Sequence, residues 1–337
     1  MERSNRIVGL KKFSGFLLFF IVFLLICLRA SHSALSPNEL LITSHTSSLK
    51  ETIAWARWDV APPFVYLVTY LFNKIANGNI FILRLPEIVA GALSSLLFFL
   101  IIRNLNYSRP FLLSLFASLF LVLLNFAGRI GPAVWLALGT MLLLYLSFVV
   151  FLSKKEISFY SIATLSATFL VLPMISLISL FVIATLDIAL IIILLFQKKL
   201  FLILYLLFFN LFAGIHFIPW GDVVVKFFVQ NFSSLKKPNP NINWFGSHLL
   251  LGWILVIITS ICVIYLVWQL IKRRTKGNLV PCDIFALLNL IFFVVFLTVI
   301  LFLPPLWPLT QTNYPLLFWP WWFLILSTLQ LFLKHEE

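Results

Sequence analysis

Charge is scarce in this chain. Asp, Glu, Lys and Arg make up 10% of its 337 residues, against 62% hydrophobic residues, where a soluble domain carries about a quarter charged. Acid is scarcer than base: 11 Asp and Glu stand against 24 Lys and Arg, a formal net charge of +13. The three cysteines, Cys27, Cys262 and Cys282, lie in or beside apolar runs. Neither a disulfide framework nor a metal-ligand spacing follows from them, and no cofactor pattern accompanies them. The alternating segments of about ten residues that mark a transmembrane barrel are missing. No Gly/Ser-rich linker or composition shift divides the chain into domains. Together these absences exclude a soluble globular domain, a disulfide-stapled secreted one and an outer-membrane barrel.

Long apolar runs are what the chain has. They recur along its length and predict an all-α fold: one polytopic helical membrane domain over residues 1–337 with about ten transmembrane helices. The first span, 13–28, follows a basic head of Arg3, Arg6, Lys11 and Lys12. A signal peptide has the same outline, but no small-x-small cleavage site closes this run, so it reads as an uncleaved span. Further spans are expected at 80–102, 110–126, 132–152, 157–172, 175–196, 200–218, 247–271, 284–303 and 314–333. Pro173 is expected to separate two of them, because proline lacks the backbone donor and clashes with the preceding turn.

Parity turns on Phe64–Ala76, a segment too short and, with Asn73 and Lys74, too polar for an easy crossing. Laid along the membrane surface, it leaves one set of short loops uniformly basic. Arg103 and Arg109, Lys154 and Lys155, Lys198 and Lys199, and Lys272 to Lys276 then share a side. The positive-inside rule makes that side the cytoplasm, with both termini on it, and the cell (inner) membrane is the expected location. The excess of base is thereby a topology signal, and nucleic acid is not needed to explain it. The polar stretch from Arg29 to Pro86 holds Glu39, Glu51, Asp59, Arg57, Lys74 and Arg84, and its loop, 29–79, is expected to face the non-cytoplasmic side.

Several polar residues in that stretch have ordinary explanations. Ser36-Pro37-Asn38-Glu39 suits a helix cap, Asp59-Val60-Ala61-Pro62-Pro63 a loop-to-helix turn, and Glu87 a helix start. Arg84 suits an interfacial side chain reaching for water, or a guanidinium fork aimed at a phosphate. Asp187 sits inside the apolar run 183–195, and an acid there is a functional candidate by default. The Trp319-Pro320-Trp321-Trp322 string reads as an interfacial aromatic belt.

The order of these motifs resembles a known family. A first span is followed by Asn38-Glu39, by Asp59-Val60-Ala61-Pro62-Pro63 before an amphipathic helix, and by Leu83-Arg84-Leu85-Pro86 opening the next span. Ala127-Gly128-Arg129 and Asn313-Tyr314-Pro315 come later. This is similar to the GT-C glycosyltransferases that use polyprenyl-phosphate sugars, such as protein O-mannosyltransferases and aminoarabinose transferases, best over Phe13–Leu105. The resemblance implies surface helices in the first extracytoplasmic loop. It also implies a polyprenyl-phosphate-linked sugar as donor, and transfer of that sugar to an acceptor on the non-cytoplasmic side.

Glu39 or Asp59 is then the expected general base. Asn38, Arg57, Lys74, Arg84, Arg129 and Tyr314 are the expected substrate-binding residues, with no metal. The chain departs from the family pattern at Asn38, where an acid is usual, at Ala61, where a histidine is usual, and at Asn313, where an arginine is usual. The alternative implied by those departures is a GT-C-like protein with eroded catalytic groups, acting as a binding or scaffolding partner of another membrane protein.

Overall fold

The computed structural model describes residues 2–59, 61–105, 107, 109–123, 128–152, 159–234 and 288. The expected spans at 247–271, 284–303 and 314–333, and Tyr314 with them, lie outside these residues except for Leu288. Among the described residues every regular element is helical. Four helices are long and apolar enough to cross a membrane: Phe13–Ser31, Ile80–Asn104, Pro132–Phe151 and Leu200–Lys226. Shorter apolar helices accompany them at Phe64–Ala76, Pro110–Leu119, Phe159–Ile175 and Val182–Leu195.

The first helix, α1 (Glu2–Ser31), carries the basic head and first apolar run without interruption. Two short helices follow, α2 (Pro37–Ser44) and α3 (Leu49–Trp58), each started by a serine whose hydroxyl accepts a backbone N–H of its first turn. Next, α4 (Phe64–Ala76) has the bounds expected for the surface segment, and it buries one face through Val65, Tyr66, Thr69 and Ala76. It stops at Asn77 and Gly78, with φ of 46° and 82°, the left-handed pair that ends helices. Asn79 then caps α5 (Ile80–Asn104), its side-chain oxygen accepting the N–H of Phe81 at 2.9 Å.

The remaining helices are α6 (Pro110–Leu123), α7 (Pro132–Ser147, extended by a π-turn at Phe148–Leu152), α8 (Phe159–Ile175), α9 (Ile178–Phe196), α10 (Leu200–Phe217) and α11 (Gly221–Ser234). Pro173 lies in the last turn of α8 rather than at its end. The break it was expected to make falls just past it, at Ser176 and Leu177, because the helix completes the turn already begun before it stops. Glu87, expected at a helix start, instead sits in the second half-turn past Arg84 inside α5, fully buried. Asn79 does the capping.

The core lies where α1, α5, α7 and α8 pack, through side chains such as Leu18, Val22, Ile26, Phe98, Phe99, Met141, Leu144 and Phe169. Leu288 joins it, fully buried. Gly139 permits the tight approach of α7 to α8, since a Cβ there meets the Leu172 side chain at 3.0 Å. A second, smaller core of Val65, Ala76, Leu83 and Ile130 fastens α4 onto the end of the bundle.

Chain direction alternates through the described bundle. The end of α1, the start of α5 and the α6–α7 turn meet around Glu39. The end of α8 reaches Phe64 of α4, and the α10–α11 connection reaches Arg57 of α3. All these turns therefore share the end of the bundle that carries α2–α4. Single cysteines placed at 45 and 219 in a cysteine-free chain should react with an impermeant maleimide from one side of the membrane, and a cysteine at 198 only from the other. Labelling of 45 and 219 from opposite sides would refute the alternation.

Candidate functional site

The capping box of α2 builds the centre of this end. Ser36 accepts the Glu39 N–H at 3.3 Å, and the Ser36 N–H donates to Glu39 Oε2 at 2.8 Å. That reciprocal pair turns the Glu39 carboxylate inward. Arg84, one turn into α5, meets it with two parallel hydrogen bonds, from Nε to Oε1 and from Nη2 to Oε2, both 2.9 Å. The rest of the guanidinium reaches the chain that leaves α1. Nη1 donates to Ala30 O at 2.9 Å and to Ser33 O at 2.7 Å, and Nη2 donates to Ala34 O at 2.9 Å. From the opposite side the Ile130 N–H donates to Glu39 Oε1 at 3.0 Å.

Both side chains are 1% exposed. All five N–H groups of Arg84 are engaged, and each Glu39 oxygen accepts twice. Burial alone would raise the Glu39 pKa, but the hydrogen bonds from Arg84, Ser36 and Ile130 outweigh it and hold the carboxyl below its ordinary value of 4.5. A guanidinium so occupied has no donor left for a phosphate, and a carboxylate so occupied has no free lone pair for an incoming proton.

The turn supplying Ile130 is shaped by Gly128. Its φ of 81° is left-handed, and a Cβ there would meet Ala30 and Ile26 at 3.1 Å. Glycine is required on both counts. Arg129, between them, is exposed at the surface of the same end.

Asp59 is placed differently. It caps the C-terminus of α3 and is exposed, and it accepts a hydrogen bond from the Tyr66 hydroxyl. Burial first, and then the neighbouring Asp59 carboxylate, push the Tyr66 hydroxyl well above its ordinary value of 10, so it stays a donor. Phe64, in the same first turn of α4, packs edge-on against Trp135 with ring centroids 5.1 Å apart. Together they roof an apolar groove of about 240 Å³ between α7 and α8, lined by Gly139, Thr168, Leu172 and Ile175 among others.

The other expected site residues spread over this end. Asn38 is exposed on α2. Lys74 lies over the Tyr70 ring, 4.5 Å from its centroid. Arg57 crosses to the α10–α11 connection, where Nη2 donates to Pro219 O at 3.3 Å, the guanidinium lies 5.1 Å from the Trp220 centroid, and Asp222 is 4.0 Å away. His45 stacks on Trp55 at 3.5 Å, and Trp55 stacks on Trp58 at 4.4 Å. Hydrogen bonds from Ser47 and then His45 hold Glu51 below its ordinary value.

The structure thus brings Glu39 and Arg84 to each other, and leaves Asp59, Asn38, Arg57, Lys74 and Arg129 facing outward. Residue-by-residue reading missed the pairing of Glu39 with Arg84. The Ser-x-x-Glu spacing was the available signal, since a capping box fixes which way its glutamate points. Also missed was Trp135, whose indole N–H donates to Glu87 Oε1 at 3.3 Å.

Because Arg84→Met leaves a buried, unpaired carboxylate, it should destabilise the protein by about 3–5 kcal/mol, read as a lowered melting temperature in detergent. Arg84→Lys should rescue little of this, because one ammonium cannot replace a five-donor fork. The pH dependence has a definite sign. The folded pKa of Glu39 is depressed, so its contribution to stability is complete above its unfolded value of 4.5 and is lost as pH falls through the lower folded value. Melting temperature should therefore fall more steeply below pH 4.5 in the parent than in Glu39→Gln; parallel curves would contradict the assignment.

No protein family, curated protein or solved structure matches the chain in the comparisons made with them.

Proposed function

We propose that the chain is a GT-C-type membrane glycosyltransferase of ten spans. It would move a sugar from a polyprenyl phosphate to an acceptor on the non-cytoplasmic side of the cell membrane, with both termini cytoplasmic. One observation carries the reading: an exposed carboxylate, Asp59, is anchored by Tyr66 in the same helical turn whose Phe64 roofs an apolar groove. An acid facing water at the end of the bundle that also holds an apolar groove suits a reaction between an aqueous acceptor and a lipid-borne donor.

In this reading Asp59 takes the proton of an acceptor hydroxyl as that oxygen bonds to the anomeric carbon. The bond from that carbon to the phosphate oxygen breaks, and polyprenyl phosphate leaves with the electron pair. Arg129, Lys74 and Arg57 are exposed cations at this end that can meet the phosphate, with Asn38 and Tyr314 as further substrate contacts. Glu39 and Arg84 hold the frame and take no proton.

A second reading has its own support. The closure of Glu39 on Arg84, together with Asn38, Ala61 and Asn313 in place of the family's polar groups, favours a protein that binds the lipid-linked sugar or a membrane partner without transferring the sugar. One experiment separates the two: purified protein is given polyprenyl-phosphate sugars, and both binding and turnover are followed. Asp59→Asn should lower turnover by about 10²–10⁴ with binding retained. Binding without turnover in the parent selects the second reading, and neither binding nor turnover rejects both.

A further inference from the structure

Glu87 takes no part in the chemistry above, yet it is 1% exposed inside α5, and its Oε2 has no hydrogen-bond partner among the described residues. Arg84, three residues before it, directs its donors to Glu39 and to the carbonyls leaving α1. What Glu87 does hold is Trp135, whose indole N–H donates to Oε1 at 3.3 Å. Breaking that bond strands a buried acceptor, which is the costly outcome for any hydrogen bond. Trp135 stands in the first turn of α7, where Phe64 meets it edge-on at the end of the apolar groove. The indole is planar and rigid. A hydrogen bond at its N–H together with the edge contact of Phe64 therefore fixes the whole ring.

Behind that ring the groove follows α8 from Ile175 back to Thr164, eleven residues or about 16 Å. The hydroxyls of Thr164 and Thr168, both in its wall, turn back onto their own helix. They donate to Tyr160 O at 2.7 Å and to Thr164 O at 2.8 Å, so these residues offer an occupant only their methyl groups. The same end of the bundle carries the exposed cations Arg57, Lys74 and Arg129. An apolar slot below a cationic surface suits an anionic amphiphile, with its hydrocarbon chain in the slot and its head outside.

We propose that Glu87 is a positioning residue for the lipid-borne donor. Through Trp135 it holds the mouth of the groove ready for the donor's hydrocarbon chain, so that binding does not first have to order that ring. The proposal rests on the lipid-borne donor of the readings above and adds the residue that prepares its chain site.

The test is photolabelling of the full chain in lipid nanodiscs with a diazirine-bearing farnesyl phosphate, competed by plain farnesyl phosphate and followed by peptide mass spectrometry. In the parent, labelling of α7 and α8 should saturate. Ala167 is exposed in the groove wall, and Ala167→Leu should fill the slot and suppress that labelling. Glu87→Leu should raise the half-saturating concentration by about five- to tenfold, the cost of ordering one freed side chain. Glu87→Gln should stay within about twofold of the parent, because an amide oxygen still accepts the indole N–H. Trp135→Phe, which lacks that N–H, should match Glu87→Leu, and it carries the test if Glu87→Leu fails to fold. The double variant should bind no worse than either single one, since Glu87 acts only through Trp135. Equal half-saturation in the parent, Glu87→Leu and Trp135→Phe, or additive losses in the double variant, would overturn the positioning role and leave the lipid-borne donor standing. No saturable labelling of the parent would overturn both.

Discussion

Burying a glutamate and an arginine together is expensive unless every hydrogen-bonding valence of both is met, because desolvation of the charges rivals their attraction. The Glu39–Arg84 pair meets that condition by recruiting four separate pieces of the chain. The capping box of α2 orients the acid, α5 presents the base, carbonyls at the end of α1 take the remaining guanidinium donors, and the α6–α7 turn contributes the Ile130 N–H. Each piece is held by the same few atoms, so displacing any one of them strands a charge. The arrangement of α1, α2, α5 and α7 at this end of the bundle follows that requirement, and α4 then seats on the result through Val65, Leu83 and Ile130.

Three acids buried in the described bundle show how partners decide what a carboxyl can do. Glu39 is saturated by a guanidinium and two backbone N–H groups, and it serves as a joint. Glu87, one turn further along α5, receives the Trp135 indole N–H, and its Oε2 has no hydrogen-bond partner among the described residues. It couples the roof of the apolar groove to the helix that carries Arg84. Asp187 has the amide of Asn210 within hydrogen-bonding reach, and its Oδ1 has no hydrogen-bond partner among the described residues. Asp59, by contrast, is exposed and has one phenolic donor, so one side of its carboxylate stays open to water.

Arg57 shows a further use of the polar residues at this end. It joins α3 to the α10–α11 connection across 162 residues of sequence by a hydrogen bond to Pro219 and a cation–π contact with Trp220. The pairing is exposed, so it contributes little to stability. It does, however, tie α3 to the end of α10.

What the sequence determined by itself was local. Apolar runs placed the long helices, because a backbone surrounded by hydrocarbon must satisfy its own hydrogen bonds within each helix. The shortness and polarity of Phe64–Ala76 marked it off from the spans around it. Those features act over a few residues, and one-dimensional reading captures them. Whether Glu39 or Asp59 faces water was decided only by the tertiary structure. Both acids lie in the same polar stretch with similar neighbours, and the difference between them comes from Arg84, 45 residues away, and Ile130, 91 residues away. Desolvation and hydrogen-bond saturation are properties of a packed neighbourhood, and the chain acquires that neighbourhood only once α1, α5 and the α6–α7 turn have met.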